Sequence, residues 1–464
     1  MTHGRLTPTP DHDLIRTMGN RYLEGNFAPV SEEVTAVDLS VTGTIPEWLD
    51  GRYLRNGPNP TDTDPATYHW FTGHGMVHGV QLRGGKAQWY RNRFVRSAQV
   101  ASELGEDWKS GPVHADMDFA ANTNVIGHAG RTFAIVEAGA RPYELDNELN
   151  TVGPCDFDGT LPGGYTAHPK RDPRTGELHA VSYFWGWGNK VQYSVIDRDA
   201  RVRKVVDVET TGSPMLHDMS LTERYAVIYD LPVVFDLDLA MGGTALPYRW
   251  DNDYPARVGL LPRDGEAEDV RWFDVEQCYV FHPLNAYDEG DRVVIELCRF
   301  ERMFDAAQVL GPDGAPPRLD RWTIDPSAGK VIEEQIDDRP QEFPRVDERV
   351  VGLRHRYGYT VAIDQAQGAF EFRGGSVLRH DLVAGTTQAR QLGAGRAPSE
   401  FVMVASAPDA AEDDGVLMGF VHDAARDASD LVLLDAATLD TVAEVHLPVR
   451  VPYGFHGNFV PSLS

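Results

Sequence analysis

Four histidines of this 464-residue chain lie in short sequence contexts that resemble one another. They are His168, His217, His282 and His456, within YTAHP, MLHD, YVFHP and YGFHG. Neutral imidazole is a good ligand for iron, zinc and copper, so four imidazoles brought together would form a metal site without choosing the metal. An octahedral ion with four such ligands keeps two positions open, which points to dioxygen or substrate chemistry.

The spacing of these histidines suggests how the fold gathers them. Successive members are separated by 49, 65 and 174 residues. A four-stranded propeller blade with its turns takes roughly 55 to 65 residues, so 174 is close to three blades. The first strand of each blade lines the central axis, which would bring the four rings together. A single histidine of this kind is more often a core residue, and the shared spacing is what favours a metal site.

The rest of the chain fits such a propeller. Short β-type runs such as Arg131–Glu137, Leu178–Phe184 and Lys190–Ile196 alternate with Gly, Pro, Asp and Asn, and no long amphipathic helix is indicated. A strand, an Asp-containing turn and a returning strand recur at Asp197, Asp325, Asp381 and Asp435. The sequence therefore predicts an all-β protein of seven or eight blades.

Three glutamates become candidates through the histidines. A histidine ligand normally donates its second ring N–H to a carboxylate or a carbonyl, which fixes the tautomer and adds compensating charge. Glu137, Glu342 and Glu400 lie in apolar surroundings, in FAIVE, QEFPR and PSEFVMV. Glutamates at strand ends are ordinarily solvated, so only the metal hypothesis makes these three the candidate catalytic-site carboxylates.

Composition limits the possible partners. Asp and Glu number 70 against 43 Lys and Arg, which gives a formal net charge of -27 and disfavours nucleic acid. The three cysteines form no C-x-x-C pair, and neither a signal peptide nor a membrane span is evident. We therefore expect a cytoplasmic protein that at most touches a membrane surface, with a polar N-terminal arm over 1–24 and one propeller domain over 25–464.

Several motifs together resemble the carotenoid cleavage oxygenase family, whose members include apocarotenoid and stilbene (lignostilbene) dioxygenases. They are GRYLRNGPNP from Gly51, HWFTGHGMVHG from His69, ANTN from Ala121, EAGARPYEL from Glu137, AHP, HD, FHP, EFPR and GFHG. The likeness runs from about Gly51 to the last residues.

The resemblance implies a single-domain, seven-bladed β-propeller with loops and short helices capping an axial metal. It implies one Fe(II) per chain, held by His168, His217, His282 and His456, with dioxygen as co-substrate and no organic cofactor. By the same analogy Glu137, Glu342 and Glu400 bond three of the histidines, and His168 is the one without a glutamate. Thr123 matches a residue whose side chain approaches the open position of the iron.

The family reaction is oxidative cleavage of a carbon–carbon double bond in an apolar conjugated substrate, which gives two aldehyde or ketone products. Such a substrate needs a dry pocket beside the metal. Aromatic residues near the ligand motifs are the candidates to line it, namely Phe71, Trp185, Trp187, Phe281 and Phe455. No obligatory protein partner is expected.

Two positions depart from the family pattern. Gly73-His74-Gly75-Met76 carries a histidine where the family usually has aspartate. Stilbene-cleaving members typically place a lysine just before the first glutamate, to hold the phenolic oxygen, and Val136 stands there in this chain. The sequence therefore favours a carotenoid or apocarotenoid substrate. The alternatives are cleavage of a stilbene or phenylpropenoid, and a metal-free propeller that serves as a protein-binding scaffold.

Overall fold

The fold is a ring of seven antiparallel β-sheets, seen in a computed structural model that describes residues 19–304, 315–363 and 375–462. Residues 1–18 of the predicted N-terminal arm lie outside the described residues. The predicted all-β, seven-bladed propeller is confirmed.

Blades 1 to 5 follow one another along the chain, and each is given from its inner to its outer strand. Blade 1 contains β6 (Asn124–His128), β7 (Arg131–Ile135), β8 (Tyr143–Leu145) and β9 (Thr151–Pro154). Blade 2 contains β10 (Lys170–Arg171), β11 (Leu178–Tyr183), β12 (Lys190–Ile196) and β13 (Val202–Glu209). Blade 3 contains β14 (Ser220–Leu221), β15 (Tyr225–Asp230), β18 (Arg257–Pro262) and β19 (Arg271–Asp274). Blade 4 contains β20 (Tyr279–Glu289), β21 (Arg292–Phe300), β22 (Arg318–Asp325) and β23 (Lys330–Asp337). Blade 5 contains β24 (Gln341–Arg345), β25 (Tyr357–Ala362), β26 (Ser376–Asp381) and β27 (Thr386–Gln391).

The last two blades combine strands from both ends of the described chain. Blade 6 contains β28 (Arg396–Pro398), β29 (Val402–Ala405), β30 (Gly415–Asp423), β31 (Ala428–Asp435), β32 (Thr441–His446) and, outermost, β2 (Ser40–Gly43). Blade 7 contains β33 (Gly457–Pro461), β3 (Gly51–Pro58), β4 (Gly75–Arg83), β5 (Lys86–Phe94) and, outermost, β1 (Thr35–Val37). Pairing of β33 with β3 and of β2 with β32 closes the ring.

The four predicted aspartate turns lie between neighbouring strands and act as expected. The Oδ1 of Asp197 accepts backbone N–H bonds from Asp199 and Arg201 at 3.0 and 2.9 Å. Asp325, Asp381 and Asp435 make the same kind of bond to the residues two or three positions on. A side chain that closes the turn in this way explains why the strand–Asp–strand repeat is visible in the sequence.

Several short elements lie outside the strands of the blades. The helices are α1 (Ala98–Leu104) and α2 (Leu237–Met241), and β16 (Val233–Phe235) pairs with β17 (Tyr248–Trp250). The 3-10 helices are Arg21–Leu23, Gly25–Phe27, Trp70–Thr72, Trp185–Trp187, Ala267–Asp269 and Glu348–Val350. Within the described part of the chain, no helix has the length and apolar character that a bilayer span requires.

Candidate metal centre

Each blade brings one residue to the same level of the axis, at or beside the start of its inner strand. In blade order these residues are Thr123, His168, His217, His282, Glu342, Glu400 and His456. The four predicted histidines therefore come from blades 2, 3, 4 and 7, although they are widely separated in sequence. Two predicted glutamates occupy the equivalent places of blades 5 and 6.

Proline and local bulges turn some of these side chains toward the axis. Pro283 follows His282, and the pairing of β20 with β21 shifts register on either side of it. Pro344 follows Phe343, which has a φ of 54°, and the pairing of β24 with β25 shifts there as well. Because proline donates no ladder hydrogen bond, the strand bulges at these points and redirects the neighbouring side chain.

The four imidazoles form a buried cluster. One ring nitrogen from each of His168, His217, His282 and His456 lies within 4.8 Å of the others. Nε2 of His217 is 3.0 Å from Nε2 of His168 and 3.2 Å from Nε2 of His282. The cluster therefore presents several nitrogen donors to one shared point.

Each predicted glutamate lies against the second nitrogen of one histidine. Nδ1 of His217 is 3.0 Å from Oε1 of Glu137. Nδ1 of His282 is 2.7 Å from Oε2 of Glu342. Nδ1 of His456 is 3.0 Å from Oε1 of Glu400. A carboxylate accepts, so these Nδ1 atoms carry the proton and each Nε2 presents a lone pair.

The donor set fits a bound cation. Lone pairs of neutral imidazoles repel one another at 3.0 to 3.2 Å, and a positive ion between them removes that repulsion. Burial and the neighbouring rings lower the pKa of His168 and of His282 well below the usual 6.5, so both stay neutral and able to ligate. The three described cysteines are buried and free, and none belongs to the cluster.

The two inner-strand glutamates differ in electrostatic environment. Burial raises the pKa of Glu342 well above 4.5, so a positive charge nearby is needed to favour its carboxylate. Burial also opposes ionisation of Glu400, but Arg345 and His456 outweigh it, and the pKa of Glu400 is lowered. Nη1 of Arg345 lies 3.3 Å from Oε1 of Glu400.

His168 has a different partner. Its Nδ1 lies 3.7 Å from Oδ2 of Asp218, too far for a direct hydrogen bond. Asp218 is buried, and its Oδ1 is 2.8 Å from Nζ of Lys170. His168 is thus the one member of the cluster that no described glutamate contacts through Nδ1.

An apolar cavity of about 370 Å³ borders one side of the cluster. Its wall includes His217, His282 and His456 together with Val136 and Thr123. Nine further wall residues are aromatic, namely Trp70, Phe71, Phe119, Tyr183, Trp185, Tyr248, Phe281, Phe343 and Phe455. The rest of the wall comprises Thr72, Met117, Glu137, Ala138, Ala245, Leu246, Pro247 and Glu342. An ion held by the Nε2 atoms would border this cavity, because three of the four rings line it.

One expectation about the neighbouring aromatic residues changes. Trp187 does not line the apolar cavity but packs against His114 and Phe184, with ring centroids 5.7 and 5.9 Å apart, because the 3-10 helix Trp185–Trp187 turns alternate side chains apart. His74 is buried and contacts Oε2 of Glu103 at 3.0 Å, away from the histidine cluster.

Three functional candidates were missed by sequence reasoning. Lys170 follows His168 by two positions, and Asp218 follows His217 directly, so their place in the motifs was a usable signal. Tyr248 gave no such signal, because it comes from β17, outside the blade repeat. Tyr248 lines the apolar cavity, and its buried hydroxyl has no hydrogen-bond partner among the described residues.

Comparisons with known proteins agree with this arrangement. The family model described as "Retinal pigment epithelial membrane protein" matches residues 27–461. The chain is 52% identical to the "Carotenoid cleavage oxygenase" of Mycobacterium tuberculosis, over 96% of this chain and 98% of that protein.

Solved structures are similar over nearly the whole chain. The lignostilbene dioxygenase of Pseudomonas brassicacearum is 28% identical, with a TM-score of 0.86 over 95% of this chain and 98% of that one. A cobalt-substituted apocarotenoid oxygenase of Synechocystis is 26% identical, with a TM-score of 0.84 over 94% and 97%. The resemblance found in the motifs is confirmed, and the chain belongs to the carotenoid cleavage oxygenase family.

Proposed function

We propose that this protein is an Fe(II)-dependent dioxygenase that cleaves a carbon–carbon double bond of a carotenoid or apocarotenoid. The observation that carries the proposal is the contact between the four-imidazole cluster and a cavity walled by aromatic side chains. The names of the Mycobacterium and Synechocystis relatives support the same reaction class. We propose His168, His217, His282 and His456 as ligands of one Fe(II) per chain.

The residues of the chain would divide the work between positioning and shielding. Ferrous iron, when bound, supplies the electrons that allow dioxygen to react with a closed-shell alkene. Glu137, Glu342 and Glu400 hold the Nδ1 protons and so keep each Nε2 directed at the metal. The aromatic wall aligns a flat polyene and keeps water away from reactive species.

Val136 supports the choice of substrate. It lines the apolar cavity, and none of the described residues in that wall is Lys or Arg. A phenolate would therefore lack a cationic partner, whereas a hydrocarbon polyene needs none.

Stilbene or phenylpropenoid cleavage is the second candidate, because a lignostilbene dioxygenase shares this fold at 28% identity. We would load the protein with Fe(II), supply one apocarotenal and one 4-hydroxystilbene in parallel, and identify the products by mass spectrometry. Faster cleavage of the apocarotenal is expected. Faster cleavage of the stilbene would overturn our interpretation of Val136.

A charge variant sharpens that comparison. Val136→Lys gives a phenolate a partner and should shift the rate ratio toward 4-hydroxystilbene, while Val136→Met controls for length without charge. Thermal melting of both variants checks that the buried lysine leaves the fold intact.

A third hypothesis is that the protein is a metal-free scaffold for protein binding. It would be favoured if the purified protein neither contains iron nor gains activity with added Fe(II).

We also propose peripheral contact with apolar membrane surface beside the mouth of the cavity. Within the segment 231–246, Leu231 and Val233 are buried and cannot contribute to such a contact. Leu237 and Met241 of α2 are 63% and 81% exposed, and Leu246, a little further along, lines the apolar cavity. We therefore restrict the proposed membrane-contact surface to Leu237 and Met241. At this surface an apolar substrate could pass from lipid to the cavity.

A further inference from the structure

A second and larger cavity, of about 980 Å³, meets the histidine cluster from another side. We call it the axial channel. Its inner end includes His168, His282 and His456, and it extends to exposed residues such as Glu148 and Pro461. Unlike the apolar cavity, it is lined by many charged and amide side chains. These are Arg52, Gln81, Arg83, Asn124, Arg131, Asn147, Glu148, Lys170, Arg171, Asp218, Asn285, Arg345, Glu348, Glu400 and Asn458.

The two cavities lie at opposite ends of the inner strands. Phe281 lines the apolar cavity, whereas the residues that follow His282, at 283–286, line the axial channel. Phe455 lines the apolar cavity, whereas the residues that follow His456, at 458–462, line the axial channel. Of the described wall residues, the two cavities share His282 and His456, so the cluster separates them.

An ion pair stands where the axial channel reaches the cluster. Nζ of Lys170 is 2.8 and 2.9 Å from Oδ1 and Oδ2 of Asp218, and the backbone N–H of Met219 donates to Oδ1 at 2.6 Å. Asp218 is buried and lies 3.7 Å from Nδ1 of His168, while Lys170 is partly exposed to the channel. Asp218 is therefore a carboxylate beside the cluster whose counter-ion is a flexible ammonium group.

The free-energy cost of removing water from the ion distinguishes the two cavities as entry routes for a metal. A hydrated dication that crossed an aromatic wall would lose its water without gaining ligands, which is prohibitively costly. Alongside six Arg and Lys side chains, the wall of the axial channel offers amide oxygens and the carboxylates of Glu148, Asp218, Glu348 and Glu400. Hard divalent ions take such oxygen ligands before they exchange them for imidazole.

We propose that the divalent metal ion reaches the histidine cluster through the axial channel, with Asp218 as a transient anionic ligand that Lys170 releases as the ion arrives. This inference rests on the proposed metal centre. It assigns the two cavities to the entry of different species. Substrate uses the apolar cavity, and the metal uses the opposite face of the propeller.

Charge variants of the pair make opposite predictions for metal uptake. Asp218→Asn leaves Lys170 unpaired at the inner end and should slow association by about tenfold or more. Lys170→Gln frees the carboxylate and should speed association, by roughly threefold or more. General damage to the fold would slow both variants, so the opposite signs separate routing from disruption.

The measurement is stopped-flow mixing of the full-length protein, prepared without metal, with Co(II) as the probe ion. Visible absorption of Co(II) reports binding, and dilution into a chelator gives the release rate separately. Leu246→Trp, which narrows the apolar cavity, is the matched control and should take up Co(II) at the wild-type rate. Raising the ionic strength should shrink the difference between the two charge variants.

The outcomes are distinguishable. The proposed route would be overturned by any of three results. These are association at the wild-type rate in both charge variants, a change confined to the release rate, and slow uptake of Co(II) by Leu246→Trp. No binding of Co(II) or Fe(II) by the wild-type protein would instead overturn the metal centre itself. Melting temperatures confirm that the variants are folded.

Discussion

The three histidine–glutamate pairs are held by different surroundings. Oε2 of Glu400 also accepts the backbone N–H of Gly457 at 2.8 Å, and Arg345 adds a positive charge. Glu342 accepts the backbone N–H of Phe343. Glu137 belongs to neither inner strand, since it follows β7 of blade 1 and reaches across to His217 of blade 3. The same chemical role is thus reached by two structural routes.

Replacing one of these glutamates by glutamine should weaken metal binding. Glu137→Gln, Glu342→Gln and Glu400→Gln each remove a negative charge and a proton acceptor from a ligating ring, and similar changes typically cost 10–100-fold in affinity. Titration of metal-free protein with Fe(II) under anaerobic conditions would measure this. Glu103→Gln is the matched control, because Glu103 contacts His74 outside the cluster.

Unchanged affinity in all three variants, with the Glu103→Gln control also unchanged, would contradict the supporting role assigned to these carboxylates. A loss of affinity in the control as well would indicate a general effect of carboxylate removal. Far-ultraviolet circular dichroism separates either result from unfolding.

The sequence indicated the four clustered histidines more easily than it indicated the carboxylates that contact them. His168, His217, His282 and His456 share short motifs and blade-like spacing, so periodicity alone indicated them. Glu137, Glu342 and Glu400 became candidates only through the histidine hypothesis, because their local sequence does not distinguish them from solvated residues at strand ends. Which carboxylate contacts a ring nitrogen depends on the three-dimensional fold. The spacing of residues along the sequence does not reveal it.

At the level of strands, the inner strand of each blade fixes the height of its axial residue. His282 and Glu342 lie near the starts of β20 and β24, and both are followed closely by a bulge. Turn aspartates and strand alternation are local signals, so the blades were predictable. The register shifts were not, because a bulge depends on which strand pairs alongside, as at Pro283 and Phe343.

β21 carries a buried carboxylate that should make stability depend on pH. Burial raises the pKa of Glu296 from 4.5 to about 7, against the opposing effect of Arg321, which lies 3.0 Å from Oε1. The folded state then binds the proton more tightly than the unfolded state does. The resulting stabilisation is complete below pH 4.5 and is lost as the pH rises through about 7.

We expect Glu296→Gln to remove this dependence. The unfolding free energy of wild type relative to Glu296→Gln should fall by about 2 kcal/mol between about pH 5 and pH 7.5. Urea denaturation at both pH values would measure it, with the exposed Glu334→Gln as control. A difference independent of pH would contradict the prediction.

The other groups facing Glu296 are His355, whose Nε2 is 3.8 Å from Oε2, and Glu289 and Tyr287 nearby. Burial lowers the pKa of His355 to about 4, so its contribution is lost as the pH falls, opposite in sign to that of Glu296. His355 is present in both proteins, and its effect largely cancels in the comparison.

Across the whole molecule, closure of the ring depends on β33 pairing with β3. A Cβ atom on Gly51 would lie 2.9 Å from Cα of Pro461 and would push these strands apart. Gly51→Val should therefore cost about 1–3 kcal/mol of stability and lower metal occupancy, because His456 directly precedes β33. Thermal melting and metal analysis test both effects, and Ser40→Val on the exposed strand β2 is the control. Normal melting with full metal content would contradict this view of closure.

The whole-molecule charge and the exposed patch together predict a lipid preference. Replacing Leu237 and Met241 by serine should reduce retention on neutral phosphatidylcholine vesicles several-fold, since each buried CH₂ contributes about 0.8 kcal/mol. Val383→Ser changes an apolar side chain that is 68% exposed on blade 5 and should have no effect. A formal charge of -27 should weaken retention on anionic vesicles, and stronger binding there would contradict the model of contact.

The order in which the blades are completed has a consequence during translation. Six of the seven axial residues lie within 123–400, but the last, His456, takes its place only with β33, whose partner β3 was synthesised some 400 residues earlier. The nascent chain on the ribosome can thus hold most of the propeller and still lack a complete set of imidazoles. For the proposed four-imidazole centre, metal capture therefore requires that residues 456–461 have left the exit tunnel, long after the other three imidazoles have emerged.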